Sequence, residues 1–316
     1  MEIKFRSRVQ LILLAVYFVF SSCGNGNSPA LDTPTSGTIT ITADETFKPI
    51  IDSEINVFQS LYKNAHIKVH YLPEADCFKD LMNDSSRVIL VTRNLTATEK
   101  KYFNDQKYFP TETPIAKDGI AVIVNNNNSD TLLNYFQLEK ILKGEINVWK
   151  MVSSSSHLNK IQIVFDNAKS STLRFIKDSI IKTTTLPENI FAAKTNEEVI
   201  DYVSKNENAI GFVGVNWCKD LNDSIGLLFT KRVKVVGIDP AKKVDVDFPQ
   251  PLQSYIALKY YPLSREIYTI SREPRTGLGT GFVNFLASDI GQRIILKGGL
   301  LPQTMPMRIV SVKKSL

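Results

Sequence analysis

The chain has 316 residues, 43% hydrophobic and 22% charged, with a formal net charge of +6. That is long enough for two lobes with sizeable cores and is ordinary for a globular protein, not a fibrous or disordered one. Lysine and arginine are spread along the chain without a basic block, which argues against nucleic acid as a partner.

The N-terminus reads as a targeting segment. Lys4, Arg6 and Arg8 precede a continuous apolar run from Leu11 to Phe20. That run is too short for a spanning helix, which needs about twenty residues. It ends in Phe20-Ser21-Ser22-Cys23-Gly24, small residues before a lone cysteine, which resembles the lipobox of bacterial lipoproteins. The resemblance implies a signal peptide over 1–22, cleavage before Cys23 and lipid on that residue; the alternative is a simple secretory signal with a chance cysteine. Without segment 1–22 the charge is about +4. The following stretch, through residue 36, is rich in Gly, Asn, Ser, Pro and Thr and reads as a flexible tether. Cys77 and Cys218 are expected to be free and at least partly buried.

The remainder alternates strand and helix patterns. Thr38 to Ile41 alternates as a strand, and Phe47, Ile50, Ile51, Ile55, Phe58, Leu61 and Tyr62 recur at helical spacing behind Thr46. Ile67, Val69 and Tyr71 predict a strand, Phe78 to Met82 a short helix and Val88 to Val91 a buried strand. Thr96 and Glu99 form a capping box for the next helix. Gly119 to Val124 is a strong strand, Asn125 to Ser129 a turn, and the helix through Leu138 and Leu142 stops at Gly144. Ile161 to Phe165 and Ala209 to Val215 predict strands, with helices over Leu173 to Ile181 and Asn196 to Val203. Val233 to Ile238 predicts another strand. Tyr255 to Leu258 and Ile267 to Ile270 also read as strands, before helices over Phe282 to Ala287 and Gly291 to Leu296. Such alternation predicts an α/β fold with parallel sheets, whose ligand sits where strands end and helices begin. Three strand–loop–helix junctions, around Thr46, Thr92 and Ser171, are candidates, if they converge.

Several segments, in order, resemble the phosphate-binding solute receptors of bacterial ABC importers: "ETFKPII", "TRNLTATE", "IAKDGIAVIVN", "LEKILKGEINVWK", "KSSTLRF", "AIGFVG" and "GQRIILKGGLLP". The resemblance runs from about Thr38 to about Pro302. It implies a type II periplasmic binding protein, two α/β lobes with mostly parallel sheets around a hinged cleft. Lobe 1 would be Gly37–Ala116 plus the chain from Pro251 onward (251–316), and lobe 2 would be Lys117–Gln250. The implied function is a monomeric, lipid-anchored periplasmic receptor that docks on an inner-membrane permease with its ATPase. It would bind phosphate or a related oxyanion and need no cofactor or metal. No catalytic constellation argues for an enzyme. Two alternatives stand: a binding lipoprotein for another small solute, and a surface interaction protein that has lost solute binding.

The resemblance places ligand contacts at Thr46, Phe47, Thr92, Arg93, Asp166, Ser170, Ser171 and Thr172. Thr46 and the Ser170–Thr172 hydroxyls are also ordinary helix caps; caps and anion sites share one geometry. Ser171 replaces a glycine of the family pattern and narrows the approach. Asp166 stands where the family has an arginine, and Val91-Thr92-Arg93 where it has an aspartate. One expectation is that the two charges have exchanged sides: Arg93 clamps the anion, and Asp166 accepts its proton or pairs with Arg93 on closure. The other is that Arg93 is a structural ion pair and the site is not for phosphate. Glu74 and Asp76 stand where the family has small residues, either as helix-dipole partners or facing the cleft. Lys169 and Arg174 either supply the missing positive charge or are solvated. Trp149 and Trp217 read as core aromatics, and His66 and His70 as exposed strand residues.

Overall fold

The computed structural model describes residues 31–182, 186–219, 229–242, 244 and 246–305. Segment 1–22, Cys23 and most of the expected tether lie outside the described residues.

Strand β1 (Gly37–Asp44) lies between β2 (Ala65–Leu72) and β3 (Val88–Val91), parallel to both. The crossovers are α1 (Lys48–Leu61), entered through a one-turn 3-10 helix at Glu45–Phe47, and α2 (Glu74–Met82). Helix α1 buries Ile50, Ile51, Ile55 and Phe58, the stripe its sequence spacing predicts. Phe58 packs between Phe282 and Phe285 at 5.5 and 5.3 Å between ring centroids. Full burial of a ring of this size stabilises by about 2 kcal/mol. Helix α3 (Ala97–Asp105) begins with the reciprocal Thr96–Glu99 capping box its sequence predicts.

The long strand β4 (Thr111–Val124) joins two halves of one sheet. Its first part pairs with β11 (Ser264–Ser271), which also borders β3, and its last part pairs with β8 (Ala209–Gly214); all three pairings are antiparallel. Beyond β8 lie β6 (Gln162–Phe165) and edge strand β7 (Ile190–Ala192), both parallel. The order is β2-β1-β3-β11-β4-β8-β6-β7, so each outer wing is parallel and helix-covered while the middle is antiparallel. Short β5 (Leu132–Asn134) pairs with β10 (Gly237–Asp239), while β9 (Lys234–Val235) and β12 (Leu301–Pro302) add to β4.

Helix α4 (Tyr135–Leu142) is followed by Gly144 at φ +77°, the left-handed stop that a glycine supplies without strain. Helix α5 (Ser171–Ile176) continues as a π-turn to Ile181, and α6 (Asn196–Lys205) follows the Thr195 cap. Phe165 and Phe212 stack at 4.7 Å in this wing's core, and Trp149 is buried beside them. Helices α8 (Leu278–Ala287) and α9 (Asp289–Lys297) cover the first wing.

Two expectations need correction. Residues 255–258, expected as a strand, belong to helix α7 (Gln253–Ala257) and its cap. Only Ile256 of that run turns fully into the core, and the Gln253 side chain fixes the turn by donating to the Leu296 and Leu300 carbonyls. A four-residue apolar run carries too little periodicity to separate the two states. Asp32 to Ser36, expected within the tether, are pinned instead. Asp32 accepts from the Leu278 amide at 2.8 Å and pairs with Arg87 and Arg275. His66 and His70 are exposed, and Cys77 and Cys218 are free and buried.

Candidate functional site

The three junctions named from the sequence do converge. Thr46, fully buried at the end of β1, presents its hydroxyl to the Asp166 carboxylate at the end of β6, 3.4 Å away. The Thr46 carbonyl accepts from Asn216 Nδ2 and Trp217 Nε1 at 3.1 and 2.8 Å, so Trp217 serves the site as well as the core. Gly214 makes this approach possible: a Cβ there would lie 2.6 Å from Thr46 Cγ2. Asn196, at the start of α6, ties Asp166 to Glu45 with one amide nitrogen, at 3.2 and 2.7 Å.

Ser170 caps α5 by accepting from the Leu173 amide. Ser171 and Thr172 are fully buried and turned to Arg265 on β11, whose guanidinium donates to their hydroxyls at 3.0 and 3.5 Å. The same guanidinium pairs with Asp118 of β4 at 2.8 Å and lies 5.5 Å from the Phe47 ring. The Ser171 hydroxyl thus helps to hold this arginine.

Thr92 lies opposite, at the end of β3. Its amide and hydroxyl both donate to Glu74 Oε1 at 2.7 Å. Arg174 reaches across from α5, donating to Glu74 Oε2 at 2.5 Å and to the Thr92 hydroxyl at 2.7 Å. Burial raises the Glu74 carboxyl, but Arg174 and the Thr92 donors outweigh it and hold the group below its ordinary range. Glu74 thus faces inward, whereas Asp76 points outward and pairs with Lys79 and Lys169. A cavity of about 320 Å³, lined by Glu74, Arg93, Ser170, Arg174 and Asp178 among others, opens at this seam. A larger one of about 630 Å³, lined by Lys117, Lys259 and Tyr260 among others, includes none of the cleft hydroxyls.

Arg93 does not meet Asp166. Its guanidinium makes a two-pronged pair with Glu99 at 2.7 and 2.9 Å and stacks 3.5 Å from the Phe78 ring centroid. Here Arg93 is paired at the rim with Glu99, six residues on, and not with Asp166. Arg174 and Arg265 are the cations that hydrogen-bond the Thr92, Ser171 and Thr172 hydroxyls among the described residues.

Asp44 and Asp166 are fully buried carboxyls without an arginine in salt-bridge contact among the described residues. Burial, and then the charge of Asp44, push Asp166 up to about 7. Burial, and then Glu74, push Asp44 up as well. Asp44 Oδ2, Asp166 Oδ1 and Asn216 Oδ1 make no hydrogen bond among the described residues.

Asp44, Asp118, Asn196 and Arg265 were not singled out from the sequence. The available signal was a charge inside an apolar strand: Asp118 in "AKDGIAVIV" and Arg265 in "SREIYTI". Such a charge is stable there only when paired.

The chain is 22% identical to the phosphate-binding protein PstS of Pseudomonas aeruginosa, over 93% of this chain and 95% of that protein. It is 25% identical to PstS of Staphylococcus haemolyticus, over 86% and 90%. A Clostridium perfringens structure, described as a phosphate ABC transporter substrate-binding protein with bound phosphate, superposes with a TM-score of 0.72. It covers 84% of this chain and all of that one at 23% identity, and it shows the common fold. The model of the PBP superfamily domain matches residues 28–289, and the chain belongs to that family.

Proposed function

We propose that the protein is the solute-binding component of an ABC importer, anchored through lipid on Cys23 in the periplasm, and that it takes phosphate or a related oxyanion in the cleft. Lobe 1 would comprise 37–116 and 251–316, lobe 2 would comprise 117–250, and the β4 and β11 crossings would form the hinge. The observation that carries this reading is the meeting of Thr46, Thr92 and the Ser170–Thr172 hydroxyls in one buried crevice with two guanidinium groups. The names of the PstS relatives support it from outside the geometry.

The role is binding, not catalysis. An anion entering the seam meets Arg174 and Arg265 together with the first-turn amides of α1, whose dipole favours negative charge. Contacts from the opposite lobe form only on closure, so the anion favours the closed state by that difference. Docking of the closed form on a permease would follow.

A thermal-shift titration of the mature protein with phosphate, sulfate and molybdate tests the reading. A saturating rise in Tm with phosphate is expected, since a ligand bound only to the folded state stabilises it by mass action. No response to any of the three anions would favour the interaction-protein alternative.

A further inference from the structure

The charges of the crevice do not sum evenly. Glu74 is matched by Arg174, and Asp118 by Arg265. Asp44 and Asp166 remain, each fully buried, both bridged by Thr46: its amide donates to Asp44 Oδ1 at 3.0 Å and its hydroxyl to Asp166 Oδ2. Each keeps one oxygen without a hydrogen bond among the described residues, and Asn216 Oδ1, beside Thr46, is a third such acceptor. Three unpartnered acceptors around one threonine call for hydrogens from outside the protein.

The groups facing this pair are Glu45 and Asn196 from the β1 and α6 ends, Glu74 and Cys77 of α2, Asp118 of β4, Arg265 of β11, and the Asn167 amide with the Ser170 and Ser171 hydroxyls at the start of α5, whose hydrogen bonds favour the ionised carboxylates without offsetting their burial. Carboxylic acids outnumber the single guanidinium among them three to one, and burial raises Asp118 even beside Arg265. Two adjacent carboxylates in such a setting do not both stay ionised when a further negative charge arrives.

We propose that Asp44 and Asp166 hold a proton in the loaded site, so that each bound anion is accompanied by a proton taken from solvent. This rests on the oxyanion reading above and deepens it. The proton turns one carboxylate from a repelling acceptor into a neutral hydroxyl donor. Asp166 is thereby a specificity-determining residue: it favours capture at neutral and lower pH and opposes a dianion in alkaline solution.

Isothermal titration with inorganic phosphate at pH 8.5, in buffers of different ionisation enthalpy, counts the protons taken up. Wild type is expected to take up about one proton per phosphate, with affinity falling about tenfold per pH unit above about 7. In Asp166→Asn the amide donates without ionising. Uptake should fall towards zero and affinity at pH 8.5 should exceed wild type by about tenfold. Asp44→Asn is the second variant and should reduce uptake likewise. Phosphate binding without proton uptake in wild type, or equal uptake in wild type and both variants, overturns the proposal and leaves the oxyanion reading standing. Absence of phosphate binding at any pH overturns both.

Discussion

Arg93, in the turn before α3, pairs with Glu99 six residues on; Arg174, on α5, pairs with Glu74 a hundred residues away. Both are arginine–carboxylate pairs at the rim of the same seam. The first closes within one capping box, and outside that segment it stacks on the Phe78 ring. The second exists only because α2 and α5 meet, and it draws in Thr92 from a third element. A local pair is a property of a segment, and a distant one is a property of the fold. Both guanidinium groups line the cavity at that seam.

The contrast can be tested by removing partners, taken from the largest expected effect to the smallest. Arg265→Ala leaves Asp118 charged and fully buried without its partner. A loss of about 4 kcal/mol in urea unfolding is expected; a loss like that of an exposed pair would refute the distinction. Glu54, on α1, sharpens the comparison as a buried carboxyl with no partner for either oxygen among the described residues. Burial raises it to about 9 from an ordinary 4.5. Between those values the folded state holds a proton that the unfolded state has released, so stability falls as pH rises, by about 1.4 kcal/mol per pH unit. Glu54→Gln should flatten that slope between pH 6 and 8. Glu74→Ala removes the acceptor for both Arg174 and Thr92 and should cost about 2 kcal/mol. Arg174→Ala should weaken phosphate binding at least about tenfold, the equivalent of one charged hydrogen bond. Arg93→Ala should change stability by under about 1 kcal/mol and leave phosphate affinity near wild type. A large loss of affinity there would return Arg93 to the ligand.

Much of the fold was legible because periodicity is local. The α1 stripe, the Thr96–Glu99 box and the Gly144 stop each need only neighbours in the chain. The short strands β5, β7 and β12 were not, since two or three residues carry no period and depend on their sheet partners. The hydroxyl junctions at Thr46, Thr92 and Ser171 were found through their helix starts. Asp44, Asp118 and Arg265 were not, because what matters about each is its partner in another segment. Arg93 stayed open between the ligand and a structural ion pair because sequence position carries no direction. The acid that holds it, Glu99, was already visible as a capping residue, and one side chain fills both roles.

The continuous strand β4 bears on how the molecule comes apart. Its first residues are laced to β11 and β12 and its last to β8 and β9, so neither wing can melt without exposing backbone of the other. Calorimetry should therefore record a single endotherm, and amides along the centre of this strand should be among the last to exchange with deuterium.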